Sequence, residues 1–226
     1  MTVIIINPNS TATMTDAMVA QAQKLVPDLR FEGWTSHLGP PAIQGVKDGE
    51  VAAPPLLDLV KRASKAGADG IIIGCFDDTA LEDAVHLATC PVIGIGQASY
   101  HYAALRSLRF SVVTTLSVSV PIIEANIERQ GLAQYVSAVR ASEIPVLALE
   151  DDPASAGETL VNEALLAERQ DAISALVLGC AGMADLAERV QNALSIEIID
   201  PVSCAARCMH WLTKSVHHSE KQLADT

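Results

Sequence analysis

Two kinds of hydrophobic patterning alternate along this chain. Short runs of strand length, most of them unbroken apolar, lie near 2–6, 30–36, 69–74, 91–95, 109–114, 135–141, 174–179 and 196–199. Between them, near 11–26, 50–66, 79–88, 97–106, 118–131, 154–170, 182–193 and 201–216, apolar residues return with a helical period. Strands buried on both faces read as continuous Val/Ile/Leu runs. Their strict alternation with amphipathic helices predicts βαβ units and parallel sheets. Eight such pairs also fit a closed barrel, but 226 residues fall short of the roughly 250 a barrel takes, and its phosphate-loop signature is missing.

The pattern also repeats. Residues 1–10 (MTVIIINPNS) open the first half and residues 108–117 (LRFSVVTTLS) open the second, so that Asn7 matches Thr114, 107 positions on. Residues 68–75 (ADGIIIGC) match residues 174–180 (SALVLGC), and Cys180 stands 105 positions after Cys75. Residues 90–95 and 195–200 keep the same register within a few positions. These landmarks predict an α/β protein of two similar parallel-sheet halves related by pseudo-twofold symmetry, with an active-site cleft between them. The halves are read as residues 1–97 and 98–204, with the helix 205–226 packing back on the first. Ligands of open parallel sheets bind beyond the carboxyl ends of the strands. The segments placed there are 7–10, 75–79, 114–117 and 180–183, and halves that face each other gather all four around one cleft.

Composition narrows the partners. Half of the residues are hydrophobic but only 4% are aromatic, which suits buried parallel strands under Ala-rich helices. The formal net charge of −12, with no basic run, disfavours nucleic acid and anionic membrane. No apolar stretch reaches 18 residues, and the N-terminus lacks the basic region of a signal peptide. The five cysteines are odd in number and irregular in spacing, as expected of free thiols in a cytoplasmic protein. Cys204 and Cys208 lie four apart with no second Cys/His pair at zinc spacing, so no metal site is expected.

A cysteine between a strand and a helix N-terminus is well placed to ionise, because unpaired amides and the helix dipole favour a thiolate. One isolated Gly-Cys there reads as packing. Two at equivalent places in both halves, Cys75 and Cys180, read instead as opposed acid/base groups that move a proton between the faces of a molecule. Cys90, Cys204 and Cys208 have no counterpart and are assigned to packing. Asn7, Asn9, Ser10, Thr11, Thr114, Thr115 and Ser117 offer neutral donors and acceptors, and they suit helix caps equally well. The four loops hold no Lys or Arg, so a neutral or weakly anionic substrate fits better than a doubly anionic one. Asp77 and Asp78 read as dipole partners of the helix that follows them. An acid there could instead orient a ligand amide, and it would raise the thiol pKa. His37, His86 and His101 have no Ser or Cys mate nearby in sequence, and His217-His218 falls in a polar tail expected to fray from Thr213. Gly94-Ile95-Gly96 is too little for a dinucleotide fingerprint.

Together, residues 6–11 (INPNST), residues 39–45 (GPPAIQG), Gly74-Cys75-Phe76-Asp77-Asp78, Val113-Thr114-Thr115 and Gly179-Cys180-Ala181-Gly182-Met183 resemble the hydantoin racemase family of the aspartate/glutamate racemase superfamily. The resemblance runs to about Asp200-Pro201. The residues after the cysteines look like the hydantoin and allantoin branch, not the Cys-Asn-Thr and Cys-Thr-Glu of amino-acid racemases. Both cysteines are present, unlike in arylmalonate decarboxylases. The resemblance implies a cofactor-independent two-base racemase that inverts C5 of 5-monosubstituted hydantoins, with Cys75 and Cys180 as the acid/base pair. It implies a substrate shell of Asn7, Ser10, Ile43, Phe76, Thr114, Thr115, Ala181, Gly182 and Met183, in which Ile43, Phe76 and Met183 meet the 5-substituent. A homo-oligomer acting on a small hydantoin-like ring is expected.

One stretch departs from the family. Relatives are expected to carry Cys-Phe-Gly/Ser-Asp-Pro-Gly-Leu where this chain has Cys75-Phe76-Asp77-Asp78-Thr79-Ala80-Leu81. Losing Pro-Gly is expected to regularise the turn, and it bears on substrate identity more than on reaction type. The alternatives are racemisation of allantoin or of an amino acid of the aspartate/glutamate type, and a non-catalytic binding module using the same cleft. A thiol redox protein is disfavoured, because its two cysteines would have to touch.

Overall fold

Eight strands pair in parallel into two sheets of four. The computed structural model describes the backbone of residues 1–224 and the side chains through Lys214. The first half runs β1 (Thr2–Asn7), α1 (Ala12–Leu25), β2 (Arg30–Thr35), α2 (Val46–Lys65), β3 (Gly70–Ile73), α3 (Leu81–Leu87), β4 (Val92–Gly94) and α4 (Ile95–Leu105). The second runs β5 (Phe110–Thr114), α5 (Val120–Arg129), β6 (Val136–Ala141), α6 (Ala148–Asp151), α7 (Pro153–Gln170), β7 (Ala175–Gly179), α8 (Ala187–Ala193), β8 (Glu197–Ile199) and α9 (Pro201–Ala224). The sheet orders are β2-β1-β3-β4 and β6-β5-β7-β8, so the repeat in the sequence is a repeat in topology.

The isoleucine runs set the register. Ile4, Ile5 and Ile6 pair with Ile71, Ile72 and Ile73. Successive side chains of a strand point to opposite faces. Val3 and Ile5 accordingly enter a core shared by both halves, with Phe76, Tyr100, Phe110, Ile123 and Val177. Ile4 and Ile6 enter an outer core under α2, with Leu56 and Val60. The second sheet repeats this: Val112 and Val177 face the shared core, while Val113, Leu176 and Leu178 face α7 and α8. Each such side chain, buried on both sides of a strand, contributes roughly 1.5–3 kcal/mol over exposure. Tyr100 lies between Phe76, edge-on at 5.5 Å, and Phe110, stacked at 6.3 Å, and so joins the α4 helix to the second sheet.

The final helix packs against α1 and α4. Met209 fills the space that a Cβ on Gly70 would take, and Gln21 of α1 donates to Asp200 and Ser203 at the start of α9. Thr213, read as the start of a fraying tail, is buried and donates to the Met209 carbonyl at 2.9 Å. His217 and His218 lie outside the residues whose side chains are described.

The structure also differs from expectation at several ends. Helix α2 starts at Val46, a turn before the predicted 50, and runs through Pro54 and Pro55. The carbonyls those prolines leave free belong to Glu50 and Val51, both exposed, so water can take them. The short α6 was not predicted. The stretch 182–193 is a 3₁₀ turn, Ala181–Leu186, followed by α8.

Candidate active site

Cys75 follows β3 and Cys180 follows β7, the equivalent strands of the two sheets. Both are free thiols, and both line one small cavity between the halves. Its volume is about 30 Å³, room for a water or two and too little for a five-membered ring. Asn7, Ile43, Phe76, Thr114, Thr115, Ala181 and Gly182 line the same cavity. The structure therefore gathers most of the shell named from the sequence. Two members fall outside it. Ser10 is turned to the loop, its N–H bonded to the Pro40 carbonyl at 2.9 Å. The Met183 side chain is fully buried in the outer core of the second half, so it is not positioned to meet a substituent.

The polar lining is mostly committed to holding the loops. Asn7 is fully buried; its Nδ2 donates to Asn9 Oδ1 at 2.9 Å and Thr15 Oγ1 at 3.1 Å, and its Oδ1 accepts from the Asn9 N–H at 3.2 Å. Thr114 Oγ1 donates to the Gly179 carbonyl at 3.1 Å, tying the two loops of the second half together. Both residues shape the site, and neither has a donor left over for a ligand. The donors beside Cys180 are backbone ones: the N–H groups of Gly182 and Met183 face its sulfur and pull its pKa down, and that of Met183 also donates to the Cys180 carbonyl at 3.1 Å.

Burial dominates both thiols. Cys180 is pushed up to about 11 by burial, against the Gly182 and Met183 N–H groups. Cys75 is raised further, by burial and then by the charge of Asp77, although the Thr79 hydroxyl and the Asp77 N–H pull the other way. Asp77 is itself raised to about 7 by burial, opposed by a hydrogen bond from the Ser119 hydroxyl.

The stretch after Cys75 corrects two expectations. The turn is not regularised: Asp78 and Ala80 both adopt left-handed backbone, with φ of 49° and 50°. Ala80 thus holds the conformation a glycine would take there without strain. Nor does Asp78 cap the helix that follows it. Its carboxylate, pushed well above the usual range by burial, accepts from the N–H groups of Gly96 at 3.1 Å and Gln97 at 2.8 Å and so caps α4. Gly94 and Gly96 make this possible. A Cβ on Gly94 would meet the Asp78 carboxylate, and one on Gly96 the Phe76 carbonyl. That is the physical use of the Gly94-Ile95-Gly96 motif.

Several lining residues were not singled out from sequence: Met14 and Met18 of α1, Ser119 and Val146. The two methionines sit four apart on one helix face, a spacing that reads as core. Val146 lies in a segment with no periodicity. Ile43 and Val146 close the cavity from opposite halves, and Gln44 Oε1 accepts from the Val146 N–H at 3.0 Å across the gap. No group of three or more His, Cys, Asp or Glu among the described residues is arranged to hold a metal ion.

Residues 3–209 match the model of the family described as Asp/Glu/Hydantoin racemase. This chain belongs to that family. Within the racemase family, it is 40% identical over 210 residues to the hydantoin racemase of Rhizobium meliloti, covering 90% of this chain and 85% of that protein. Among solved structures it superposes on the allantoin racemase from Klebsiella pneumoniae with a TM-score of 0.90 and 34% identity, covering 95% of this chain and 88% of that one. The allantoin racemase of Pseudomonas fluorescens gives 0.89 and 33%, over 95% and 91%. The racemase fold described above, two four-stranded parallel sheets flanked by helices, is shared with these structures.

Proposed function

We propose that this chain is a cofactor-independent racemase that inverts C5 of 5-monosubstituted hydantoins, with Cys75 and Cys180 as its acid/base pair. The observation that carries the reading is the pair of free thiols that follow equivalent strands and open on one cavity. The 40% identity to a hydantoin racemase supports the substrate class.

One cysteine, as thiolate, takes the C5 proton and becomes a thiol. The C–H electron pair moves into the ring as the enolate of the C4 carbonyl. The other cysteine, as thiol, gives its proton to C5 from the opposite face and becomes the thiolate. The protein thus ends each turnover with its charge on the other sulfur, ready for the reverse reaction. The Gly182 backbone N–H, which faces the Cys180 sulfur, is the candidate donor to the developing oxyanion. One preorganised donor of this kind can be worth about 3 kcal/mol. The absence of Lys and Arg from the lining fits a ring amide better than a dicarboxylate.

We also propose a division of the chain into halves 1–97 and 98–204 with the last helix serving the first; the two sheets and the packing of α9 on α1 and α4 support it, while α4 itself crosses the first boundary and α9 the second. The reading also includes a cytoplasmic homo-oligomer; five free cysteines agree with a reducing compartment. No described helix is long and apolar enough to cross a membrane.

Allantoin is the second substrate reading, favoured by the two allantoin racemase structures. Proton NMR in deuterated buffer tests both. The C5–H signal of a single-enantiomer hydantoin should vanish as optical rotation decays, with allantoin run beside it. Turnover of aspartate or glutamate in place of both rings would contradict the reading.

A further inference from the structure

Asp77 holds a carboxyl group that the fold uses at one oxygen and leaves unpaired at the other. Its backbone is fixed: Asn126 Nδ2 donates to its carbonyl at 2.8 Å, and its N–H faces the Cys75 sulfur. Its side chain is only 6% exposed. The Ser119 hydroxyl bonds the carboxyl group, yet Oδ2 is buried with no hydrogen-bond partner among the described residues. A buried carboxyl oxygen left unpaired is costly unless something else fills it. Asp77 lines the thiol cavity and also a second, larger cleft of about 600 Å³ between α2, α3, α4 and α5. Asp77 therefore borders both spaces.

The surroundings of Asp77 indicate what it meets. Asp77 lines the same small cavity as both sulfurs, and its charge raises both thiols. A carbon held between those sulfurs is then near Asp77 as well. In a hydantoin, C5 is bonded to N1, to C4 and to the substituent. The C4 carbonyl oxygen gains negative charge during the reaction, and an acceptor beside it would oppose proton removal. N1 carries an N–H donor, the natural mate of a free carboxyl oxygen.

We propose that Asp77 is a specificity-determining residue whose free Oδ2 accepts a hydrogen bond from the ring N1–H of a 5-monosubstituted hydantoin. This rests on the reading of the thiol pair given above. The hydrogen bond orients the ring so that C4, and not N1, faces the Gly182 N–H beside Cys180. It also engages the ionised carboxylate, so that a ring donor offsets the charge which otherwise holds both thiols up. A carboxyl pKa of about 7 keeps a large ionised fraction at neutral pH.

The test compares a hydantoin with the oxazolidine-2,4-dione of the same 5-substituent, which replaces N1–H by oxygen without adding bulk. C5 deuterium exchange is measured for both with the wild type, Asp77→Ala and Asp77→Ser. Intrinsic differences between the compounds cancel when the ratio of their kcat/KM values is compared across proteins. The preference for the hydantoin should fall about 10- to 100-fold in both variants, the range for one hydrogen bond to a charged group. Continued exchange of the oxygen analogue by the variants reports that they are folded. An unchanged preference in both variants would overturn the assignment of Asp77 while leaving the thiol pair standing. Exchange of neither compound by the wild type would remove the racemase reading and this inference together.

Discussion

The two cysteine loops end equivalent strands, and they surround their thiols with opposite chemistry. Cys75 is followed by Phe76, Asp77 and Asp78, two buried carboxyl groups within three positions. Cys180 is followed by Ala181, Gly182 and Met183, and the backbone N–H groups of the last two approach the sulfur. The same topology therefore gives one thiol an acid neighbour and the other an amide cradle. Cys180 is the easier of the two to ionise, and Cys75 the better proton store. The repeated topology supplies two positions of like geometry, and the residues around them make them unequal, although a racemase must run the same reaction in both directions.

Removal of either thiol should have the largest effect. Cys75→Ala or Cys180→Ala should each lower the racemisation rate by about 10³-fold or more, at the upper end of what a general acid or base contributes. Polarimetry on a single enantiomer measures it, and a variant that keeps a tenth of the rate would show its thiol to be a bystander. A smaller effect sharpens the difference between the loops. Asp77→Asn removes the charge that raises both sulfurs, so alkylation of Cys75 by iodoacetamide should reach its half-maximal rate at a lower pH than in the wild type. The Cys180 profile should move in the same direction by less, since burial and its amide contacts outweigh Asp77 there. Peptide mapping of the alkylated protein separates the two.

Asp77 also predicts a pH dependence of stability. Its folded pKa of about 7 lies above the unfolded value near 4. The protonated form thus favours the folded state: the contribution is complete below about pH 4 and is lost as pH rises through 7. Denaturant titrations at pH 5 and pH 8 should show the wild type weaker at pH 8, and Asp77→Asn should shrink that difference. Equal pH sensitivity in the two proteins would place the titrating group elsewhere. The smallest effect concerns the cover. Gln44→Ala removes the hydrogen bond to Val146 and should cost about 1 kcal/mol of stability, with a few-fold change in KM. A change confined to kcat would assign Gln44 to the chemistry instead.

Much of this architecture was legible because buried parallel strands write themselves as uninterrupted apolar runs. Ile4 to Ile6, Ile71 to Ile73 and residues 175–179 could be read as central strands, and the second Gly-Cys disclosed the duplication. What stayed hidden depends on contacts between segments distant in sequence. Asp78 caps a helix 18 residues ahead, whereas capping is read locally from sequence. Ala80 takes a left-handed conformation that nothing in its residue type announces. Val146 and the short α6 belong to a stretch with no period to follow. Met183 sits in the right turn, but its side chain points to the outer core, a choice made by packing against Leu186 and Val190. The rest of the site was read through residue types whose roles proved more structural than expected, as with Asn7.

The central claim is that two thiols work from opposite faces of one carbon. Cys75→Ser and Cys180→Ser, each given the two separate enantiomers in deuterated buffer, test it most directly. The account predicts that neither variant interconverts the enantiomers, and that any residual C5 exchange is confined to one enantiomer in the first variant and to the other in the second. Interconversion by either single variant, or residual exchange of the same enantiomer by both, would contradict it.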